Sequence, residues 1–311
     1  MSGPVVHAPE VPVTSDADSA DRVARRYHVW RWVSVVVLVV LLVSFVRSAA
    51  TNPRFEWDMF GSYLFSDTIL DGVRITAILT VVCMLIAIVL GAVLAVMRMS
   101  SNPVLVALST GFVWLFQGTP MLVQLLLFYN IAAVYPKLSL HIVFLPPLFE
   151  VEANTVITAM VAAVLGLGLH EAAYMAEIIR AGISGVDRGQ SEAARALGMS
   201  RWHTFRRVIL PQAARLIVPP TSSRTIGLLK YTSLVSVLGL GDLLYNAEQV
   251  YSQNFKPIPL LLVASLWYLA ITTVLMAGQS WLERRFGRGF DRGAIRPARA
   301  RRSLRSAGGA R

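Results

Sequence analysis

The chain has 311 residues and a net charge of +11; it is 55% hydrophobic and only 15% charged. A soluble domain carries about a quarter charged residues, so a chain built around apolar spans is indicated and a pair of water-soluble domains is not. The one cysteine, Cys83, lies inside an apolar block and the histidines are scattered, which leaves disulfides, thiol chemistry and metal ligation without support.

In chain order, residues 1–28 are rich in Pro, Ser, Asp and Val without periodicity and read as a disordered tail. The first apolar block, 32–46, is bounded by Arg31 and Arg47. It is short enough for a signal-peptide core, and Ser48-Ala49-Ala50 resembles a cleavage site, but the long polar leader and the intruding Arg47 favour a retained span over 29–47. Further blocks cover 73–97, 104–135 with an interruption at Gly118-Thr119-Pro120, 155–179, 226–245 with Gly239 and Gly241, and 258–281. A helix crosses the hydrocarbon core in about 20 residues, so the expectation is an all-α polytopic membrane protein with six spans. A hydrophilic stretch, 180–224, separates the fourth and fifth blocks, and an Arg-rich tail, 283–311, follows the last.

Charge sets the expected orientation. Arg22, Arg25, Arg26 and Arg31 precede the first span, eight arginines lie in 180–224, and the last tail opens with Arg284, Arg285 and Arg288. The intervening loops hold Arg47, Arg54, Lys137 and Lys256. By the positive-inside rule both termini and the 180–224 loop are cytoplasmic. The last tail has only Phe286 and Phe290 as aromatic residues, both near its start, and none among the arginines beyond them, which argues against base stacking with nucleic acid and for anionic lipid headgroups.

The 180–224 loop reads as two short helices. Ser191 caps the first, which Gly198 ends; Ser200 caps the second, which Pro211 terminates. Polar groups inside the apolar blocks are the other candidates, because such groups are costly in lipid. Glu177 and Arg180, spaced i, i+3 near the cytoplasmic boundary, read as a structural pair. His170 and Glu171 lie deeper, and with Gln117, Gln124 and Asn130 of the third block they are candidates for a substrate path. Gly239-x-Gly241 marks close packing or an unwound segment.

The loop resembles the signature of permease subunits in ABC importers. Glu192-Ala193-Ala194, then Gly198, then Ile209-Leu210-Pro211 carry the resemblance. AAYMAEIIRAGI (172–183), GTPMLVQL (118–125), LLKYTSLVSVLGLGDLL (228–244) and WLERRF (281–286) are similar to the polar amino acid branch. The chain departs from many relatives at Gln117, where they carry Arg, and at Tyr231, where they carry an acidic residue. The resemblance implies a five-span core over 69–282, preceded by an additional span, and a coupling loop that includes Glu192, Ala193, Ala194, Gly198, Leu210 and Pro211. It also implies two cytoplasmic ATP-binding subunits, a second permease subunit, an extracytoplasmic amino-acid-binding protein and a polar amino acid as cargo. The three lysines, Lys137, Lys230 and Lys256, follow Pro136, Leu229 and Phe255. None fits a phosphate-cradling Gly-Lys-Ser/Thr loop, so ATP hydrolysis is expected in a partner, with no cofactor and no covalent chemistry here. The rival readings are an ion-driven transporter or channel, for which only Glu171 is placed, and a membrane-bound enzyme.

Overall fold

The structure, a computed structural model, describes residues 17–139 and 150–286. It divides into two units, 1–57 and 58–311. In the first, α1 (Ala17–Thr51) is one helix of 35 residues. Its stretch Trp30–Thr51 is long and apolar enough to cross a membrane, and its large apolar side chains are exposed. A 3-10 turn, Pro53–Phe55, capped by Asn52, follows.

The helix begins before the expected end of the tail. Residues 17–28, expected to be disordered, are helical. Asp18 and Asp21 stand four residues before Arg22 and Arg25, an order that favours a helix, and the apolar block extends it. Residues 1–16 of the expected tail, and 287–311 of the basic C-terminal tail, lie outside the described residues.

The helix α2 (Trp57–Tyr63) begins at the last residue of the first unit, and the second unit continues with the long α3 (Asp67–Arg98). The third apolar block is not straight. Asn102 caps α4 (Pro103–Gly118), Thr119 and Pro120 leave the helix, and α5 (Met121–Tyr129) continues at 103° to it. Proline disfavours helix at the residue before it, which places the break where the sequence carries its interruption. After α6 (Ile131–Val134), β1 (Lys137–Ser139) pairs antiparallel with β2 (Glu150–Glu152), and Lys137 bonds Glu150 at 3.0 Å. The Glu150 carboxylate raises the Lys137 pKa above its usual value. A single turn, α7 (Ala153–Val156), precedes α8 (Ala159–Ser184), whose first turn is capped by Thr158. The fourth span therefore starts later than residue 155.

Next come α9 (Arg188–Ala196) and α10 (Arg201–Thr204), a π-turn at Phe205–Ile209, and α11 (Leu210–Tyr231). A 3-10 segment, Thr232–Leu238, ends at Gly239 with φ +72°. Asp242 then caps α12 (Leu243–Asn254), and α13 (Pro257–Phe286) closes the unit. The expected fifth span, 226–245, is thus the middle of a longer, bent element that begins near Arg201 and turns by 45° after Leu238. Among the described residues four helices are long and apolar enough to cross a membrane, and six spans result if each bent pair counts as one.

The core lies around α8. Ala162, Ala163, Leu167, Ala172 and Ala173 have no exposure, and they pack with Leu79, Cys83 and Ala87 of α3 and Leu125 of α5. Small residues let helix backbones approach closely where lipid supplies no hydrophobic drive. A smaller cluster joins Ile69 of α3, Leu243 and Ala247 of α12, and Leu260 and Val263 of α13.

Candidate functional site

Two features converge on the pair α8 and α11. The first lies along the middle of α8. Residues 170, 171 and 174 fall on adjoining faces of one helix by its 3.6-residue period. Glu171 is fully buried and is chelated by Arg224 of α11, which donates from Nε at 2.9 Å and from Nη2 at 2.5 Å. The Arg224 guanidinium carbon lies 3.8 Å from the centre of the Tyr174 ring. Tyr174 in turn lies 5.3 Å from the His170 ring.

His170 is buried and donates from Nδ1 to Gln124 Oε1 at 3.2 Å. The Gln124 amide donates to Phe116 O and to both oxygens of Thr119. One side chain therefore fastens the α4–α5 bend, satisfies the Phe116 carbonyl that Pro120 leaves without an N–H donor, and ties the bend to α8. Gln117 also reaches α8, donating to Ala173 O at 3.1 Å. Four of the five substrate-path candidates, Gln117, Gln124, His170 and Glu171, are thus gathered on residues 170–173 of α8. Asn130 stands apart. It donates to Leu126 O and lines a separate cavity of about 500 Å³ with Tyr129, Asn154 and Thr158.

Glu177, two turns further along α8, is paired with Arg98 of α3 and with Arg180, the latter at 2.9 Å. The expected i, i+3 pair is present, with an additional cation from α3.

The second feature is the connection from α8 to α11. Gly182 lies where the two helices are in contact: a Cβ there would stand 2.3 Å from Ile217 Cγ1. Beyond it, Asp187 Oδ1 accepts from Gly189 N at 2.7 Å and caps α9. Asp187, not Ser191, is the cap. Both residue types can cap, but Asp187 starts the helix one turn earlier, and Ser191 then donates its hydroxyl back to Arg188 O. Glu192 consequently sits in the second turn, where the helix dipole acts on it less.

The end of α9 follows a Schellman pattern. Gly198 N–H donates to Arg195 O, Met199 N–H donates to Ala194 O, and Gly198 has φ +76°. Only glycine adopts that conformation without strain. Ser200 caps α10 as expected. Pro211 does not end the second helix. The π-turn before it, closed by Leu210 N–H on Phe205 O, carries the chain into α11. There Pro211 occupies the first turn, where no N–H is required. Of the six expected coupling residues, Ala194 is buried, whereas Glu192, Ala193, Gly198, Leu210 and Pro211 are exposed. Leu197 and Trp202 stand 82% and 64% exposed beside them, an apolar pair open to a partner surface.

Reading the sequence did not single out Arg224 or Tyr174. A signal existed for Arg224: a carboxylate deep in an apolar block requires a cation, and Arg224 directly adjoins the fifth block. Tyr174 carried none beyond its i, i+3 spacing from Glu171.

Residues 84–288 match the family described as the inner membrane component of binding-protein-dependent transport systems. The chain is 44% identical over 267 residues to the arginine transport system permease protein ArgU of Corynebacterium glutamicum, covering 85% of this chain and 83% of that protein. It is 38% identical over 232 residues to the glutamate/aspartate import permease protein GltK of Escherichia coli, covering 75% of this chain and 98% of that protein. A crystal structure of an amino acid ABC transporter with histidines superimposes with a TM-score of 0.59 at 35% identity, over 70% of this chain and 94% of that one.

Proposed function

The chain belongs to the family of binding-protein-dependent transport system inner membrane components, and we propose that it is the permease through which a bacterial ATP-driven importer passes polar amino acids. It is a multi-pass membrane protein and a transport component, not an enzyme. Its partners are ATP-binding subunits and a substrate-binding protein. The amino acid reading draws on relatives named for arginine and for glutamate and aspartate.

The observation that carries the proposal is the α9–α10 connection. A capped helix, a left-handed glycine turn and a second capped helix form a stiff knob, with exposed Leu197 and Trp202, at the joint of the two helices that build the polar cluster. In the proposed assembly two ATP-binding subunits grip this knob and a second permease completes the pathway. An extracytoplasmic binding protein delivers the cargo. The arginines of 180–224 favour a cytoplasmic position for the knob, and both termini are assigned to the same side. Closure of the ATP-binding pair displaces α9 and α10, and α8 and α11 move with them. The cargo passes the polar atoms near residues 170–173. The ion-driven alternative loses its main support, because Glu171 is held by Arg224 and is not a free carboxylate.

The test is uptake by the complex reconstituted with its ATP-binding and binding-protein partners. ATP-dependent uptake of a polar amino acid, in preference to sugars or phosphate, is expected. Robust sugar uptake without amino acid uptake overturns the reading.

A further inference from the structure

The Glu171 site has the composition of a guanidinium receptor. A carboxylate accepts two N–H bonds from one fork, and an aromatic ring covers the cation. Those are the elements that recognise a guanidinium as a chemical group, and nothing in them depends on the guanidinium being attached to this chain. The access is asymmetric. Glu171 has no exposure, whereas the Arg224 side chain retains 24%, so the route to the carboxylate leads past the Arg224 head group.

The segment that carries Arg224 is built to give. Pro219 and Pro220 lie inside α11 and remove two ladder hydrogen bonds. The hydroxyls of Thr221, Ser222 and Thr225 fold back onto carbonyls four residues earlier, an arrangement that bends helices. The opposite wall is fixed, because α8 is the most buried of the unit's three long apolar helices α3, α8 and α13, and His170 is anchored to Gln124.

We propose that Arg224 is a tethered occupant of a cation seat made by Glu171 and Tyr174, and that the cationic side chain of a basic amino acid displaces it during transport. This rests on the amino acid importer reading above and narrows it to a cationic cargo. The physics of burial makes the exchange selective. An ionised carboxylate stripped of its partner in this setting is strongly disfavoured, so Arg224 leaves only when another cation arrives. A neutral amino acid of the same shape cannot release it. Glu177, shared by Arg98 and Arg180 and 30% exposed, lacks this property: with one arginine removed it retains another and water.

The test uses the purified permease–ATPase complex in nanodiscs, with L-arginine, L-citrulline (its neutral urea analogue) and guanidinium ion as probes. Arg224→Gln removes the tethered competitor. It should bind L-arginine about tenfold more tightly than the parent, as expected when a competing state is removed, with no gain for citrulline. Millimolar guanidinium should raise its thermal midpoint more than that of the parent. Unchanged or weaker L-arginine binding, or an equal gain for citrulline, overturns the proposal. Should Arg224→Gln fail to assemble, Arg224→Lys keeps a cation but loses the fork; a gain of a few-fold for L-arginine supports the seat, and none overturns it. Uptake separates this inference from the broader one. A parent complex that transports only neutral amino acids removes the cation seat and leaves the importer reading intact, whereas one that no amino acid stimulates removes the importer reading itself.

Discussion

α8 and α11 are joined twice, and the two joints differ in kind. At the end of α8 the join is the α9–α10 connection, built from caps and a glycine turn and standing largely in the open. Halfway along, the join is one ion pair, Glu171–Arg224, buried on the carboxylate side. The first is stiff because its two N-caps and its glycine turn satisfy backbone groups locally. The second is strong because the fully buried carboxylate has no access to water in place of Arg224. An open, rigid joint suits a surface that must be pushed, and a buried charge pair suits a position that changes state only when something replaces one half. A displacement imposed on the knob reaches Gly182 and Ile217, where the helices are in close contact, before it reaches the ion pair.

The largest effect distinguishing the joints should come from Arg224→Leu. It leaves Glu171 buried and uncompensated, and loss of one partner of such a pair costs about 3–5 kcal/mol. Thermal unfolding of the purified complex should drop sharply, and the double variant Glu171→Gln/Arg224→Leu should recover most of the loss. Equal destabilisation in the single and double variants would mean that the pair is not the joint.

Gly182→Leu should come next, at about 1–3 kcal/mol, because the added atoms enter the space of Ile217. Gly278→Leu on α13, with no neighbour within 4 Å of its Cβ, is the control and should change stability by no more than about 0.5 kcal/mol. A similar loss at both glycines would show that the α8–α11 approach is not tight.

Glu177→Gln should have the smallest effect, about 1 kcal/mol or less, since its pairs with Arg98 and Arg180 are partly solvated. A loss as large as that of Arg224→Leu would erase the distinction between a buried and an open ion pair on the same helix.

The two joints were also unequally legible in the sequence. The knob is local. Gly198 and Ser200 each act on neighbours within a few residues, and both hold the positions their residue types require. Even so, Ser191 was displaced by Asp187, since either residue type satisfies an N-cap. Pro211 also failed as a stop, because the π-turn that carries the chain past it leaves no residue-level mark. The ion pair is tertiary: its halves lie 53 residues apart. Arg224 reads as the last charge of a hydrophilic loop until α11 is seen to begin at Leu210. The apolar blocks marked the spans, and Pro120 and Gly239 marked where two of them break. The angles of 103° and 45° are tertiary features: α5 packs on α8, and α12 packs on α3 and α13. The β1–β2 hairpin has strands of three residues, too short for alternation to register.

The central claim is that the knob transmits ATP-driven motion to α8 and α11, and Gly198→Val addresses it most directly. Gly198 has φ +76°, a conformation that costs a β-branched residue about 1–2 kcal/mol or more. A Cβ there meets nothing within 4 Å, so the change strains the turn without disturbing the spans. The measurement is substrate-stimulated ATP hydrolysis by the reconstituted complex, alongside membrane insertion of the variant. The account predicts near-normal insertion with stimulated hydrolysis lost, or loss of the ATP-binding subunit on purification. Full stimulated hydrolysis and uptake by Gly198→Val would contradict it.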